Sequence, residues 1–469
     1  MKFARFDDLS RLAGRRRRRR GVARDIWRTR LWPLPAAGVV LAVLLGVGLP
    51  IFDAWMIDNL PAQATALLFG GGPESARTVL SAIATSLITV SSLTFSLTVV
   101  TLQLASSQYS PRLLRTFAQD RFVHVTLALL LSTFTYVLTV LRAVRASLES
   151  HSAFVPQLSV TLAYLMALVS VVTLVAFLAH LARQIRVETL LDSVHTETLQ
   201  TMRRCADGCG QTEEASTVVT PETGTVLLCG TVSGFLTSVD EEALLRTAVD
   251  TGSVVVLDPF PGAWLTAGTP IAVAWPVTEG RAERDRLDAA GLSHLLSAAI
   301  QTGAERTAAQ DIAFGLRQIV DITIKALSPG INDPTTAVHA LSHAAALLCE
   351  AAGLNLGPLM LRDDRGRVRV VVPRPDMPAL LDLVISQPLL YGAADPHVTA
   401  RLFTLLGEVA WSTRRPEHLA AVHNQLLRLR AAVDRQEYDR AERAWMEDLV
   451  RLVQAALAGR WEQGAFRQS

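Results

Sequence analysis

The sequence predicts an α-helical integral membrane domain of four transmembrane helices, followed by a cytoplasmic α+β domain. The latter combines a small β-rich, barrel-sandwich-like part with a helical bundle. Three observations predict this class. Four apolar stretches, 32–52, 79–105, 122–141 and 158–179, hold no Asp, Glu, Lys or Arg, and about twenty such residues cross a hydrocarbon core as a helix. Six consecutive arginines, Arg15 to Arg20, precede the first stretch, and Lys and Arg beside a first span hold that side in the cytoplasm. Beyond about residue 185 the long apolar runs give way to short branched runs and polar periodic ones, enough chain for one large or two small soluble domains.

Residues 1–30 form a basic N-terminal segment. Its arginines set topology and attract the anionic headgroups of the bilayer; nucleic acid is not an expected partner. A cleaved signal peptide is the rival reading, and an uncleaved anchor is the expected one, because the apolar run is long and residues 50–55 (Pro-Ile-Phe-Asp-Ala-Trp) are not a small-residue cleavage site. The membrane domain then occupies 31–184. Loop charge supports an even number of crossings with both termini cytoplasmic. Asp53, Asp58 and Glu74 outweigh Arg77 after the first span, whereas Arg112, Arg115 and Arg121 outweigh Asp120 after the second. The net charge of +2 averages two unlike halves. The four cysteines, Cys205, Cys209, Cys229 and Cys349, fall on the expected cytoplasmic side, where thiols stay reduced. The Cys205/Cys209 spacing is not that of a zinc ribbon, and neither a metal nor a cofactor is expected.

The second span is unusual. On a helix, Ser81, Thr85, Thr89, Ser92, Ser96 and Gln103 fall on one stripe, and Ser91, Thr94, Thr98 and Thr101 on a second, roughly opposite one. Small hydroxylated residues allow close helix packing and hydrogen bonds across an interface. Hydroxyls also replace part of an ion's hydration shell, which makes the first stripe a candidate pore lining. Four spans enclose little space, so a pore needs a ring of subunits. With no charge inside the spans, passive conduction fits better than coupled transport, which uses buried ionisable groups. The loop after this span predicts a helix capped by Ser110 with Pro111 in its first turn. Arg112, Arg115 and Arg121 then become candidates for a cationic inner mouth.

A helical stalk is expected over 185–216 and a β-rich subdomain over 217–277, with a helix near 241–251. Gly262 and Gly268 bracket a short strand, an arrangement similar to the turns of barrel-sandwich domains that carry lipoyl groups. No lysine lies between them, so the likeness is one of fold. A helical subdomain, 278–469, begins with a polar-patterned helix from Ala308 to Leu327. Pro329-Gly330 marks a turn, and Asp333-Pro334 starts the next helix with an N-cap and a first-turn proline. Arg317 and Asp321 stand four apart, as do Asp321 and Lys325, and pair along one face. Arg317, Asp321, Asn332 and Asp333 are the candidate ligand-site residues of this half, because free N–H groups at a helix start favour anions. His339 and His343 lack a His-Glu-x-x-His context and read as packed within the bundle. A hairpin is expected over 359–372, and one long, mixed-charge helix from about Glu417 to Leu457, suited to pairing with a second subunit.

Four spans, the string Ser107-Gln108-Tyr109-Ser110-Pro111-Arg112-Leu113-Leu114, and the segment from Asp311 through Leu327-Ser328-Pro329-Gly330-Ile331-Asn332-Asp333-Pro334 resemble the bacterial predicted membrane proteins grouped as domain of unknown function 2254. The resemblance covers nearly the whole chain. It implies a multi-pass bacterial inner-membrane protein and no assigned activity. Two functional expectations follow from the residues. The first is a homo-oligomeric channel for an ion or small solute, lined by the second span and gated by the cytoplasmic domain. The second is a membrane-anchored sensor or scaffold whose cytoplasmic domain binds a ligand or protein. Without a phosphate-binding glycine loop, nucleophile elbow or paired metal motif, an enzyme is not expected.

Overall fold

A computed structural model describes residues 33–56, 68–108, 120–145, 154–184, 186–207, 221, 225–277 and 288–461. The chain divides into two compact units, Met1–Arg186 and Val187–Ser469.

The N-terminal unit contains four helices, α1 (Pro33–Met56), α2 (Pro73–Gln108), α3 (Arg121–Ala143) and α4 (Gln157–Gln184), each long and apolar enough to cross a membrane. Helix α3 packs against the other three, so its residues Leu130, Tyr136, Val137 and Val140 are fully enclosed. The outer helices keep large apolar side chains on the surface, among them Leu44, Ile51, Phe95 and Val172, as expected of helices whose solvent is lipid. Two boundaries differ from the sequence expectation. Helix α2 begins at Pro73 and reaches Gln108, and its 36 residues span about 54 Å at the α-helical rise, well beyond a hydrocarbon core of about 30 Å. Helix α1 continues past Phe52 and encloses Asp53, which the sequence had placed in a loop. Asp53 is 3% exposed and accepts hydrogen bonds from the Leu158 and Ser159 amides and the Ser159 hydroxyl. It thereby satisfies the free N–H groups at the start of α4.

The C-terminal unit opens with α5 (Val187–Asp207), which packs on α8 and α9 through Leu190, Leu191, Val194 and Met202. Next come β1 (Val226–Cys229), β2 (Gly234–Val239), α6 (Glu241–Asp250), β3 (Ser253–Leu257), β4 (Trp264–Leu265) and β5 (Pro270–Pro276). Then follow α7 (Ala289–Ala299), β6 (Ile300–Gly303), α8 (Ile312–Ala326) and α9 (Pro334–Gly353). The chain continues through β7 (Leu359–Arg362), β8 (Val368–Val372), α10 (Met377–Gly392), α11 (Pro396–Ser412), α12 (Pro416–Val433) and α13 (Arg440–Leu457). The strands make a five-stranded sheet in the order β1-β5-β3-β8-β7 and a three-stranded sheet in the order β4-β2-β6. Helices α6 and α7 cover them with Leu244, Leu292 and Leu296. Gly262 and Gly268, which bracket β4, have φ of 99° and 82°, the left-handed region that glycine enters without steric cost. A Cβ on Gly262 would also lie 2.0 Å from Asp311 Oδ2.

Aspartate N-caps set the helix starts. Asp240, Asp288, Asp311, Asp333, Asp376, Asp395 and Asp439 each accept a backbone N–H in the following first turn, a contact that stabilises by about 1 kcal/mol. Two expectations are corrected accordingly. The polar-patterned helix starts at Ile312 rather than Ala308, because Asp311 caps it while also binding Arg306 Nε at 2.8 Å. The single long C-terminal helix is two. Helix α12 ends at Val433, and Asp439 with Glu442 forms a reciprocal capping box that starts α13. The apolar face of α13, with Met446, Leu449 and Val453 buried, packs on α11 of the same chain. The expected hairpin, β7–β8, forms and joins the five-stranded sheet, with β8 parallel to β3.

Candidate functional site

The two polar stripes of α2 have different fates. Ser91, Thr94, Thr98 and Thr101 are buried on the face that carries Ala76, Leu80 and Ala84 into the bundle. Thr94, Thr98 and Thr101 donate to backbone carbonyls one turn earlier, Val90, Thr94 and Leu97. Across the bundle Ser170 of α4 donates to Thr133 of α3 at 3.1 Å. The hydroxyls of Ser91 and Thr126 are buried without a hydrogen-bond partner. The opposite stripe is exposed along its whole length, from Ser81 through Thr85, Thr89, Ser92 and Ser96 to Gln103. Ile88, Leu93, Phe95 and Val99 lie exposed beside it. A helix surrounded only by hydrocarbon would not gain from six polar side chains on its outer face; that face suits water or another helix.

Of the expected cationic mouth, Arg121 is the first residue of α3 and is exposed. Arg112, Arg115 and the Ser110 cap lie outside the described residues, as do Arg15 to Arg20. Asp120 caps α3 through the Phe122 amide at 2.8 Å and meets His180 Nε2 of α4 at 2.5 Å.

In the C-terminal unit the four candidate residues do not converge. Arg317 lies nine residues before the end of α8, about 14 Å along the axis, where its Nη1 reaches Gln387 of α10 at 3.4 Å. Asp321 is half-buried on the same helix. Asn332 and Asp333 form the α8–α9 turn. Asn332 is the sole non-glycine residue with positive φ (51°) among the described residues, and its amide donates to Ser328 O at 2.9 Å. The Asp333 amide donates to Ala326 O at 2.8 Å, closing the carbonyls at the end of α8. The Asp333 carboxylate accepts from the hydroxyl of Thr336 at 2.6 Å and from its amide at 3.0 Å. These bonds hold its carboxyl below the usual carboxylate range. The conspicuous Ser-Pro-Gly-Ile-Asn-Asp-Pro string thus builds a tight helix–helix turn, and its acidic group is engaged within it.

His339 is exposed, while His343 meets the His195 ring of α5 edge-on at 5.3 Å between centroids. Burial, with the neighbouring His195, pushes the His343 imidazole below its ordinary pKa. Among the described residues no three His, Cys, Asp or Glu side chains are grouped to hold a metal ion.

The structure adds a groove of about 570 Å³ between α9 and α11 that no motif announced. Its residues come from positions some sixty to over a hundred apart in the chain, and each looks ordinary in its own helix. Cys349 lies in it, and burial raises its thiol pKa, which disfavours the thiolate form.

Residues 28–408 match a family described as predicted membrane proteins, DUF2254. The chain is 33% identical over 435 residues to uncharacterized proteins of Mycobacterium bovis and Mycobacterium tuberculosis, covering 91% of this chain and 80% of each relative. No solved structure matches.

Proposed function

The chain belongs to the DUF2254 family of predicted membrane proteins, and on that premise we propose that it assembles as a homo-oligomer and conducts an ion or small solute along the outer face of α2. One observation carries the reading. Of two polar faces on one membrane helix, the bundle buries one and leaves the other, Ser81 to Gln103, exposed. In a ring of subunits that turns this face inward, hydroxyls replace part of a permeant species' hydration shell. No charged side chain lies on the stripe between Ser81 and Gln103, so the path is neutral and transport is passive. On this reading the membrane is a bacterial inner membrane and both termini lie in the cytoplasm, an orientation that the loop charges support. Arg121 then stands at the inner end, and the C-terminal unit regulates from the same side.

A second reading, a membrane-anchored sensor without transport, draws support from the groove in the C-terminal unit. Reconstitution into liposomes decides between them. Under the channel reading the purified protein is a ring of several subunits with measurable flux, and Ser92→Leu with Ser96→Leu abolishes flux while the ring persists. Undiminished flux in that variant, or a monomer without flux, refutes the channel.

A further inference from the structure

The groove between α9 and α11 has the volume of a small-molecule site. Its floor is the α9 stripe that includes Ser342 and Ala346, residues small enough to leave room above them. One wall is polar. Arg401 of α11 is 7% exposed, donating from Nε to the Ser342 hydroxyl at 3.0 Å and from Nη2 to Glu408 Oε2 at 2.9 Å. Its Nη1 makes no hydrogen bond among the described residues, although a guanidinium has five N–H donors in a fixed fork. Glu408, with 34% of its side chain exposed, retains acceptor capacity. The far end is aromatic: Trp411 and Trp461 sit with ring centroids 5.5 Å apart at 47°, each more than a third exposed. Arg414 lies 5.2 Å over the Trp411 ring and holds it in place.

These features define the chemistry of an occupant. The Arg401–Glu408 pair is neutral as a unit, so a ligand with net charge meets one favourable and one opposed partner. A group that both accepts and donates hydrogen bonds satisfies the two together. The tryptophans favour a flat ring, since a base stacks well on an aromatic side chain. We propose that this groove binds an uncharged nucleoside-class ligand. The ring lies against Trp411 and Trp461, and its hydroxyl or amide groups accept from Arg401 Nη1 and donate to the Glu408 carboxylate. The assignment rests on the C-terminal unit and does not depend on conduction by α2.

Equilibrium dialysis of labelled adenosine against the detergent-purified full chain tests it, with adenosine monophosphate and indole as competitors. Saturable adenosine binding is expected, with the monophosphate a weaker competitor and indole, a ring without the polar group, weaker still. Ala346 is exposed, so Ala346→Phe fills the groove without touching the core. It should weaken binding by at least about tenfold, or about 1.4 kcal/mol, with an unchanged melting temperature. Glu408→Gln, which removes the charge and keeps the shape, should turn the preference toward the monophosphate. The proposal is overturned by absence of saturable binding at millimolar adenosine, by undiminished binding in Ala346→Phe, or by a monophosphate that outcompetes adenosine on the unaltered protein.

Discussion

Replacing Gly315 with alanine sets two physical effects of opposite sign against each other. Gly315 sits inside α8 where α5 crosses it. A Cβ there would lie 1.6 Å from Thr198 Oγ1, 2.8 Å from its Cβ and 3.0 Å from its Cγ2. Thr198 is 3% exposed, and its hydroxyl donates to Val194 O at 2.5 Å, so any retreat breaks that bond inside a filled interface. Helix propensity alone makes Ala better than Gly by about 1 kcal/mol, whereas forcing a methyl into a filled interface costs about 1–3 kcal/mol. With contacts this short the clash falls at the upper end of that range, and about 3 kcal/mol less the propensity gain of about 1 leaves a net loss of about 2 kcal/mol. For a unit of this size that lowers the melting temperature by roughly 4–8 °C. Circular dichroism melting of the full chain in detergent measures it. Thr198→Ala in the same chain removes the shortest contact and leaves the Cβ one, so the double variant recovers part of the loss. A Gly315→Ala protein that melts at or above the parent temperature refutes the claim that α5 and α8 meet backbone to side chain here.

Three further outcomes are expected. Burial raises the Asp363 carboxyl, but hydrogen bonds from Arg369 and Arg367 and from the Arg365 and Arg367 amides override it and hold it far below the usual range. Its contribution is therefore present above the unfolded carboxylate pKa of about 4 and lost as pH falls below that value. The urea midpoint gap between the parent and Asp363→Asn should be open at pH 7 and close toward pH 2. Asp53→Ala strands the Ser159 amide and hydroxyl in a buried position and should cost about 1–3 kcal/mol, read as a lower thermal aggregation temperature; an unchanged value would remove Asp53 from the start of α4. At Asn332, φ of 51° makes Asn332→Gly nearly neutral and Asn332→Val destabilising by about 1–2 kcal/mol, measured by chemical denaturation; equal effects would contradict a left-handed residue in the turn.

The membrane helices were legible because an uninterrupted apolar run leaves one physical solution in a bilayer, although Asp53 shows that a carboxylate can sit within such a helix when a neighbouring helix start uses it. Both stripes of α2 were readable from its period. Which of them faces α3 was not, since that depends on the partner helices. The break between α12 and α13 did carry a local signal, Asp439-Arg440-Ala441-Glu442, a capping-box spacing masked by the continuous mixed charge around it. The turn at Asn332–Asp333 was visible as a turn, and only the structure shows the Asp333 oxygens occupied by Thr336. The groove was beyond sequence reading. Arg401 meets Ser342 at a separation of 59 positions in the chain, and nothing local in either helix marks the encounter.

The parallel pairing of β3 with β8 bears on the order in which the chain is made. Val255 pairs with Val370, so the five-stranded sheet stays incomplete until more than a hundred further residues, including α8 and α9, have left the ribosome. Loop closure over such a distance is entropically costly and slow. Throughout that interval one edge of β3 presents unpaired backbone groups, a template for mispairing with other chains. The apolar helices of the N-terminal unit are synthesised well before this. The last strand of the sheet therefore arrives on a nascent chain whose first half has already been offered to the bilayer.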